Sequence, residues 1–229
     1  MYSLILLNGG IGKRIAAGQP KQFLKVNGIP ILVYSIVAAD AVESITEIVL
    51  NYPDDWRDTV EQIVNDYAIK TPIVYVPAGE TRHESVAVML KHCSNEHVII
   101  HESARPLVRT EDFERLAGEP YDNVSYMLPL SFTVAPVDPE SHRVTGYLER
   151  HKLRNVQLPQ KFNKNSLVGA HEYAQREGVK FTEDATLVAV AGGDVRYLDG
   201  AERNFKVTTR TDVRLAGFLL LGGDEDWDE

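Results

Sequence analysis

The sequence contains a single cysteine, Cys93, which excludes a disulfide within the chain. Cys93 lies in a stretch with a helical pattern, and we interpret it as a small core or surface residue. The seven histidines show no metal-ligand spacing such as H-E-x-x-H, and no cysteine cluster accompanies them. A zinc site is therefore not expected, and a single thiol fits a reducing cytoplasm.

Positive charge and long apolar runs are also scarce. Lys and Arg number 24 against 33 Asp and Glu, so the net charge is -9, which argues against a surface that neutralises nucleic-acid phosphates. The first apolar run spans about seven residues, too few for a signal peptide or a membrane span. We expect a cytoplasmic protein that binds neither nucleic acid nor membrane, with its important basic residues gathered in a pocket.

Apolar strands alternate with amphipathic helices along the chain. This rhythm predicts an α/β fold, a Rossmann-like, doubly wound and mostly parallel sheet, in which ligands bind beyond the carboxyl ends of the strands. Polar segments 8–21, 79–85 and 101–106 follow strands, so we expect three loops to converge on one crevice. The predicted strands cover 4–7, 23–26, 45–51, 73–76, 97–101, 124–130 and 194–198, and the predicted helices 30–39, 82–92, 163–177, 183–191 and 211–221, with one more after Asp54 and Asp55.

The sequence pattern changes at residues 131–157, where residue character alternates with a period of roughly two around the turn at 138–141. This pattern predicts a β-hairpin arm that projects from the sheet. A lone two-stranded hairpin is marginally stable in water, so we expect the arm to pack on a second subunit. The prediction for the whole chain is one domain over 1–221 that includes this arm, followed by an acidic, flexible tail at 222–229.

The string LILLNGGIGKR joins the first buried strand to a glycine-rich turn, and PKQF follows after a short loop. Glycines let backbone N–H groups approach an anion closely, and the nearby basic residues add positive charge. The string matches neither the G-x-G-x-x-G dinucleotide pattern nor the G-x-x-x-x-G-K-S/T P-loop. On the glycines alone, an ordinary turn with solvated lysines is equally acceptable.

GGIGKR followed by PKQF resembles the nucleotide-binding signature of the sugar-phosphate nucleotidylyltransferases, and most closely the branch of methylerythritol-phosphate and ribitol-phosphate cytidylyltransferases. Further strings with similar counterparts follow in the same order up to about residue 220: AGETRHES, HESARP, QLPQKF, FTEDA and NFKVTTRTD. The resemblance implies that CMP is transferred from CTP to a small polyol phosphate, with Mg²⁺ and with release of pyrophosphate. It also implies that an arginine of the arm reaches over from the partner subunit of a homodimer.

The resemblance implies that Arg14, Lys21 and Lys206 are catalytic and stabilise the charge on the phosphates while the acceptor's phosphate attacks the α-phosphorus in line. AGETRHES corresponds to the segment that contacts the cytosine base. Thr81 and Glu84 within it also form a capping box, and both interpretations can hold together. The residues implied to bind the nucleotide are Asn8, Gly9, Gly10, Gly12, Gly79, Glu80, Arg82, Ser85 and Ser103.

Glu102 stands where the family carries an aspartate that helps to hold Mg²⁺, and it is one methylene longer. A strand-end salt bridge between Glu102 and Arg105 is the structural alternative. The resemblance places Arg105 near the acceptor phosphate, together with Thr133 at the start of the arm and Arg150 near its end. Without the resemblance, Arg150 would be read as a solvated arm residue.

The chain departs from the family pattern at Asn8, Glu102, Leu158 and Arg203, and Arg203 leaves a second metal carboxylate uncertain. Three alternatives therefore stay open. The first concerns the acceptor, which is methylerythritol 4-phosphate, ribitol 5-phosphate or a similar compound, for isoprenoid or surface-polysaccharide synthesis. The second is a nucleotidylyltransferase that uses a nucleotide with another base, because Asn8 lies in the base-facing loop. The third is a catalytically silent homologue that binds a nucleotide.

Overall fold

The structure, a computed structural model, describes residues 1–10 and 18–222. The predicted site residues Gly12 and Arg14 and nearly all of the predicted acidic tail lie outside these residues. In the described part of the chain, seven strands form the central sheet, in the order β11-β7-β10-β6-β1-β4-β5. These strands are β1 (Tyr2–Leu7), β4 (Ile45–Tyr52), β5 (Ile73–Pro77), β6 (His97–Glu102), β7 (Val124–Pro129), β10 (Arg154–Asn163) and β11 (Arg196–Asp199).

Two short antiparallel pairs lie outside this sheet: β2 (Lys25–Val26) with β3 (Ile29–Pro30), and β8 (Val137–Asp138) with β9 (Arg143–Val144). The helices are α1 (Ile31–Asp40), α2 (Arg57–Asn65), α3 (Arg82–Leu90), α4 (Thr110–Gly118), α5 (Lys164–Glu177), α6 (Asp184–Val190) and α7 (Arg210–Leu219). None of the helices in residues 1–10 and 18–222 has the length and apolarity needed to cross a membrane.

The predicted α/β class and mostly parallel sheet are confirmed. β1 pairs in parallel with β4 and β6, β4 with β5, and β7 with β11. Side chains of β1 alternate between two apolar clusters, because Leu4 and Leu6 pack with α1, α2 and α4, whereas Ile5 packs with α3, α5 and α6. Helices on both faces explain why the first strand is a continuous apolar run.

The predicted C-terminal boundary of the arm, residue 157, is wrong. Residues 154–157 pair with β7 as the first part of β10, which runs antiparallel between β6 and β7. The hairpin itself is present, but each of its strands spans only two residues, and a 3₁₀ turn at Arg150–Lys152 occupies the returning limb. The physical reason is that the arm lacks a second layer to cover its side chains, so pairing is confined to the residues beside the turn.

Some helix starts also differ from the prediction. Asp54 and Asp55 do not cap α2: Trp56 occupies the N-cap position, and Asp55 has a left-handed φ of 66°. The last helix begins at Arg210 rather than Thr211, because the Thr209 hydroxyl accepts from the Asp212 N–H while the Asp212 carboxylate accepts from the Thr209 N–H. The corresponding capping box predicted for Thr81 and Glu84 at α3 is confirmed.

The strand predicted at 23–26 is shorter than expected. Lys21–Phe23 forms a 3₁₀ turn, and only β2 is extended. Asn27 and Gly28, predicted to turn the chain, have φ values of 49° and 83° and join β2 to β3 in a tight hairpin. This hairpin directs the chain into α1 and brings the P-K-Q segment back against the sheet.

Candidate active site

A crevice of about 350 Å³ opens at the carboxyl edge of the sheet. Its walls come from the loops after β1, β5 and β6, as the sequence predicts, and from the segment that precedes α7. The side chains and backbone that line it belong to Leu7, Asn8, Gly9, Gly10, Lys21, Gln22, Asn51, Gly79, Glu80, Thr81, Arg82, Ser85, Glu102, Ser103, Ala104 and Lys206.

The floor of the crevice is a polar network centred on Asn8, which is buried. The Asn8 N–H donates to Asn51 Oδ1 at 2.5 Å, and the Asn8 carbonyl accepts from Gln22 Nε2 at 2.5 Å. Ser103 Oγ donates to Asn8 Oδ1 at 2.7 Å. Sequence reasoning missed Asn51 and Gln22, although Gln22 belongs to the quoted P-K-Q string. The network attaches Asn8, at the start of the first loop, to β4 and to the third loop.

The first loop lies so close to its neighbour that only glycine fits at position 9. A Cβ on Gly9 would lie 2.4 Å from the Cβ of Ala78 and 2.9 Å from Asn51 Nδ2. Gly10 has no such neighbour within 4 Å. Close approach of the loop after β1 to the loop after β5 therefore depends on Gly9.

The second loop enters α3 through a turn that also requires a glycine. The Gly79 N–H donates to Ser85 Oγ at 3.0 Å, and a Cβ on Gly79 would lie 2.9 Å from the backbone nitrogen of Ser85. Ser85 is buried, whereas Glu80 is exposed at the rim. The N-terminal turn of α3 thus faces the crevice with backbone donors and a hydroxyl, an arrangement suited to a polar ligand.

Glu102 is the buried carboxylate of the crevice and is surrounded by three cations. Lys206 Nζ lies 2.8 Å from Oε2, Arg82 Nε 3.5 Å from Oε1, and Arg105 Nε 3.7 Å from Oε2. Burial alone would raise the pKa of Glu102, but these three positive charges together lower the pKa to about 2. Glu102 is therefore ionised at neutral pH, and the alternative salt bridge to Arg105 exists as well.

Lys21 and Lys206 converge on the crevice from opposite ends of the chain. Lys21 Nζ donates to the Val207 carbonyl at 2.6 Å, and the Val207 N–H donates to the Ala104 carbonyl at 2.8 Å. The segment before α7 is thereby attached to both the first and the third loop. Both ammonium groups lie where a polyphosphate entering the crevice would meet positive charge.

Arg105 also attaches the segment that precedes α7. Arg105 Nη1 donates to the Asn204 carbonyl at 2.8 Å, and Asn204 Nδ2 donates to the Leu158 carbonyl at 2.7 Å. Burial is the main cause that lowers the pKa of Arg105. Arg105 is absent from the lining of the crevice, so its binding of an acceptor stays a prediction. These contacts make Asn204 part of what fixes the segment before α7.

Arg203 faces away from the crevice. Its guanidinium makes a bidentate pair with Asp112 at 3.0 and 3.1 Å and also donates to the Leu107 carbonyl at 3.3 Å. Leu158, one of the departures from the family pattern, lies within β10 and is buried in an apolar cluster. Thr133 and Arg150 are exposed on the arm and do not line the crevice, and Arg150 Nη1 donates only to the nearby Ser131 carbonyl at 3.3 Å among the bonds described.

The two acidic residues of the FTEDA string, Glu183 and Asp184, make different contacts. Glu183 caps α6, since its carboxylate accepts from the N–H groups of Ala185 and Thr186 at 3.0 and 2.8 Å. Asp184 is buried and lies 2.6 Å from Arg82 Nη1. The contact of Asp184 with a crevice residue was not predicted from the sequence.

The chain is similar to a set of proteins with one activity. Residues 2–221 match the family model IspD: 2-C-methyl-D-erythritol 4-phosphate cytidylyltransferase. The Bacillus cereus protein of that name is 33% identical over 223 residues, 96% of this chain and 98% of the relative, and the chloroplastic protein of Oryza sativa is 32% identical over 95% of this chain and 74% of its own.

Solved structures agree in fold. The 4-diphosphocytidyl-2C-methyl-D-erythritol synthase of Anaerococcus prevotii superposes with a TM-score of 0.83 at 26% identity, covering 96% of both chains. The cytidylyltransferase of Thermus thermophilus gives 0.74 at 29% identity, covering 96% of this chain and 98% of its own. With this fold, this crevice and a family match over nearly its whole length, the chain belongs to the 2-C-methyl-D-erythritol 4-phosphate cytidylyltransferase family.

Proposed function

We propose that the protein transfers CMP from CTP to 2-C-methyl-D-erythritol 4-phosphate and releases pyrophosphate. The observation that carries the proposal is the crevice itself: two lysines and a buried, ionised carboxylate face one cavity at the carboxyl edge of the sheet, in a chain of this family. The named relatives favour this acceptor over the ribitol phosphate that the sequence also allowed.

In the proposed reaction, a phosphate oxygen of the acceptor attacks the α-phosphorus of CTP. A P–O bond forms as the bond between the α-phosphorus and the bridging oxygen of pyrophosphate breaks, and pyrophosphate leaves with the electron pair. Lys21 and Lys206 hold the negative charge that is shared among the phosphates, and Arg14, outside the described residues, is proposed to join them. Gly79, Arg82 and Ser85 form the side of the crevice proposed for the base.

The donor set suits Mg²⁺. Glu102 presents a buried, ionised carboxylate to the crevice, and its Oε2 lies 2.8 Å from Lys206 Nζ. Residues 1–10 and 18–222 contain no group of three or more His, Cys, Asp or Glu side chains that would hold a metal by themselves. One carboxylate together with substrate phosphates is the usual way that proteins hold Mg²⁺, which would neutralise phosphate charge in this site.

The test measures pyrophosphate release with each of the four nucleoside triphosphates and with methylerythritol 4-phosphate, ribitol 5-phosphate and other polyol phosphates, with and without Mg²⁺. We expect release only with CTP, methylerythritol 4-phosphate and the metal. Release with ribitol 5-phosphate alone, or with another triphosphate, would replace the proposed substrates. CTP binding without release from any pair would identify a silent homologue.

Single variants then test the cations. Lys21→Ala and Lys206→Ala are each expected to lower kcat by about a hundredfold or more, because each removes a charge that faces the reacting phosphates. Lys70→Ala is the matched control, since Lys70 is exposed and precedes β5 at the opposite edge of the sheet. Full turnover by either crevice variant would contradict the proposed roles.

We further propose that the arm forms a homodimer and completes the acceptor site across the interface. Phe132 and Tyr147 are 83% and 79% exposed, and Val137 and Val144 beside the turn are also exposed. These apolar side chains favour burial against a second copy. Thr133 and Arg150 lie on the same arm and not in their own crevice, so a partner's crevice would be their place of action.

A mixing experiment distinguishes an arm that acts in the partner's crevice from an arm that acts in its own crevice. Arg150→Ala and Lys21→Ala are each expected to be nearly inactive alone. In a mixed dimer, the crevice of the Arg150→Ala subunit would receive an intact arm from its partner, so activity should return. If Arg150 serves its own crevice, mixing restores nothing, and a monomer in sedimentation would overturn the dimer itself.

A further inference from the structure

A partly buried polar cluster lies directly behind the wall of the crevice and joins three helices. It consists of Arg82 and His83 at the start of α3, His171 on α5 and Asp184 at the start of α6. Arg82 is the member that lines the crevice. The other three carry no role in the proposed reaction.

Arg82 is held between two carboxylates. Its Nη1 lies 2.6 Å from Asp184 Oδ2 on the buried side, and its Nε lies 3.5 Å from Glu102 Oε1 on the crevice side. Asp184 is 1% exposed, and burial alone would raise its pKa, but the Arg82 charge and the neighbouring His171 lower the pKa. A buried carboxylate that stays ionised pairs strongly with its cation and leaves that cation little freedom.

His171 and His83 form a wall behind the carboxylate. His171 Nε2 lies 3.7 Å from Asp184 Oδ1, His171 Nδ1 lies 3.2 Å from His83 Nε2, and the two rings are 4.2 Å apart between centroids. His171 is buried as well. Asp184 Oδ1 is therefore confined by His171, and Asp184 Oδ2 is directed at Arg82.

The shorter of the two contacts decides where the guanidinium points. Without the Asp184 charge, the carboxylate still within ion-pair distance of Arg82 is Glu102, and the guanidinium would be drawn across the crevice toward it. With Asp184 present, Arg82 stays in the wall formed by α3, beside Gly79 and Ser85.

We infer that Asp184 is a positioning residue, which holds the Arg82 guanidinium in place for binding the nucleotide. This inference rests on the proposed function, since it takes CTP as the ligand of the crevice. Asp184 acts through Arg82 and does not itself touch the ligand.

The test is a double-mutant cycle with Arg82→Ala, Asp184→Asn and the double variant. Asp184→Asn is expected to raise the KM for CTP about tenfold or more, by a larger factor than it lowers kcat, and to leave the KM for the acceptor unchanged. In the Arg82→Ala background, Asp184→Asn should add nothing to the KM for CTP, because the residue on which it acts is gone. If Asp184→Asn does not fold, Asp184→Glu, which moves the charge by one methylene, completes the cycle.

Asp112→Asn is the matched control, since it breaks the pair of another arginine, Arg203, that faces away from the crevice. It should lower thermal stability and leave the KM for CTP unchanged. The inference is overturned if Asp184→Asn raises the KM for CTP equally with and without Arg82, or if it lowers stability with no change in KM. Failure of the wild type to use CTP would instead overturn the proposed function.

Discussion

Two adjacent glycines of the first loop differ in what surrounds them, and the difference is visible only at the scale of single residues. A Cβ on Gly9 would overlap Ala78 and Asn51, whereas a Cβ on Gly10 would meet no atom within 4 Å. Both glycines belong to the same string, so the motif by itself assigns them the same importance.

Gly9→Ala should therefore lower the free energy of unfolding by about 1–3 kcal/mol, the usual cost of forcing extra volume into a packed site. Gly10→Ala is the matched control and should change it by less than about 0.5 kcal/mol. Urea unfolding followed by circular dichroism measures both. Equal effects of the two substitutions would show that the packing described between the first and second loops is wrong.

Cys93 offers a second prediction at this scale. The thiol is buried, and burial raises its pKa to about 12, so almost no reactive thiolate exists at pH 8. We expect negligible labelling by a thiol reagent in the folded protein at pH 8 and full labelling in denaturant. Rapid labelling of the folded protein, at a rate independent of denaturant, would contradict the burial of Cys93, which follows α3.

At the scale of elements, Glu47 joins three pieces of the structure. It lies on β4, accepts a hydrogen bond from Ser3 on β1, and accepts one from the Ser94 N–H at 2.5 Å in the connection between α3 and β6. Burial alone would raise the pKa of Glu47, but these hydrogen bonds together lower it below its ordinary value of 4.5. The carboxylate form thus stabilises the edge of the sheet opposite the crevice.

Glu47→Gln should lower the free energy of unfolding by about 1 kcal/mol at pH 7, a modest loss because the group is partly exposed. Since the folded-state pKa is depressed, the contribution of Glu47 is complete above pH 4.5 and is lost as pH falls through the folded-state value. The difference between wild type and variant should therefore shrink below pH 4.5. Urea titrations at pH 7 and pH 4 test this, and a difference that grows on acidification would refute it.

At the scale of the whole molecule, ligand binding should stabilise the fold, because the crevice is assembled from loops at both ends of the chain. CTP with Mg²⁺ at about one hundred times its Kd should add about 2.7 kcal/mol, or about 5–10 °C in Tm for a chain of this size. Thermal unfolding with each triphosphate provides the measurement. Glu102→Gln should reduce the part of the shift that depends on the metal, whereas equal shifts with all four triphosphates would indicate a general anion effect.

Much of the fold was predictable because its signals are local. The apolar run of β1, the alternation of strands and helices and the capping box at α3 each depend on residues close together in the chain. β10 was not predicted as a strand, since its sequence RNVQLPQKFN is mostly polar and contains a proline, and its partners β6 and β7 lie elsewhere in the chain. The N-cap of α2 was missed because Asp55 takes a left-handed conformation that its sequence does not signal.

The sequence by itself determined the fold class, the order of the loops, and the residue types that face the crevice, because periodicity and glycine-rich strings act over short distances. Tertiary structure decided which charges meet. Arg203 turned away to Asp112, Arg105 turned to the Asn204 carbonyl, and Arg82 paired with Asp184. The physical reason is that such pairs join residues far apart in the chain, and only packing of the helices against the sheet brings them within hydrogen-bonding distance.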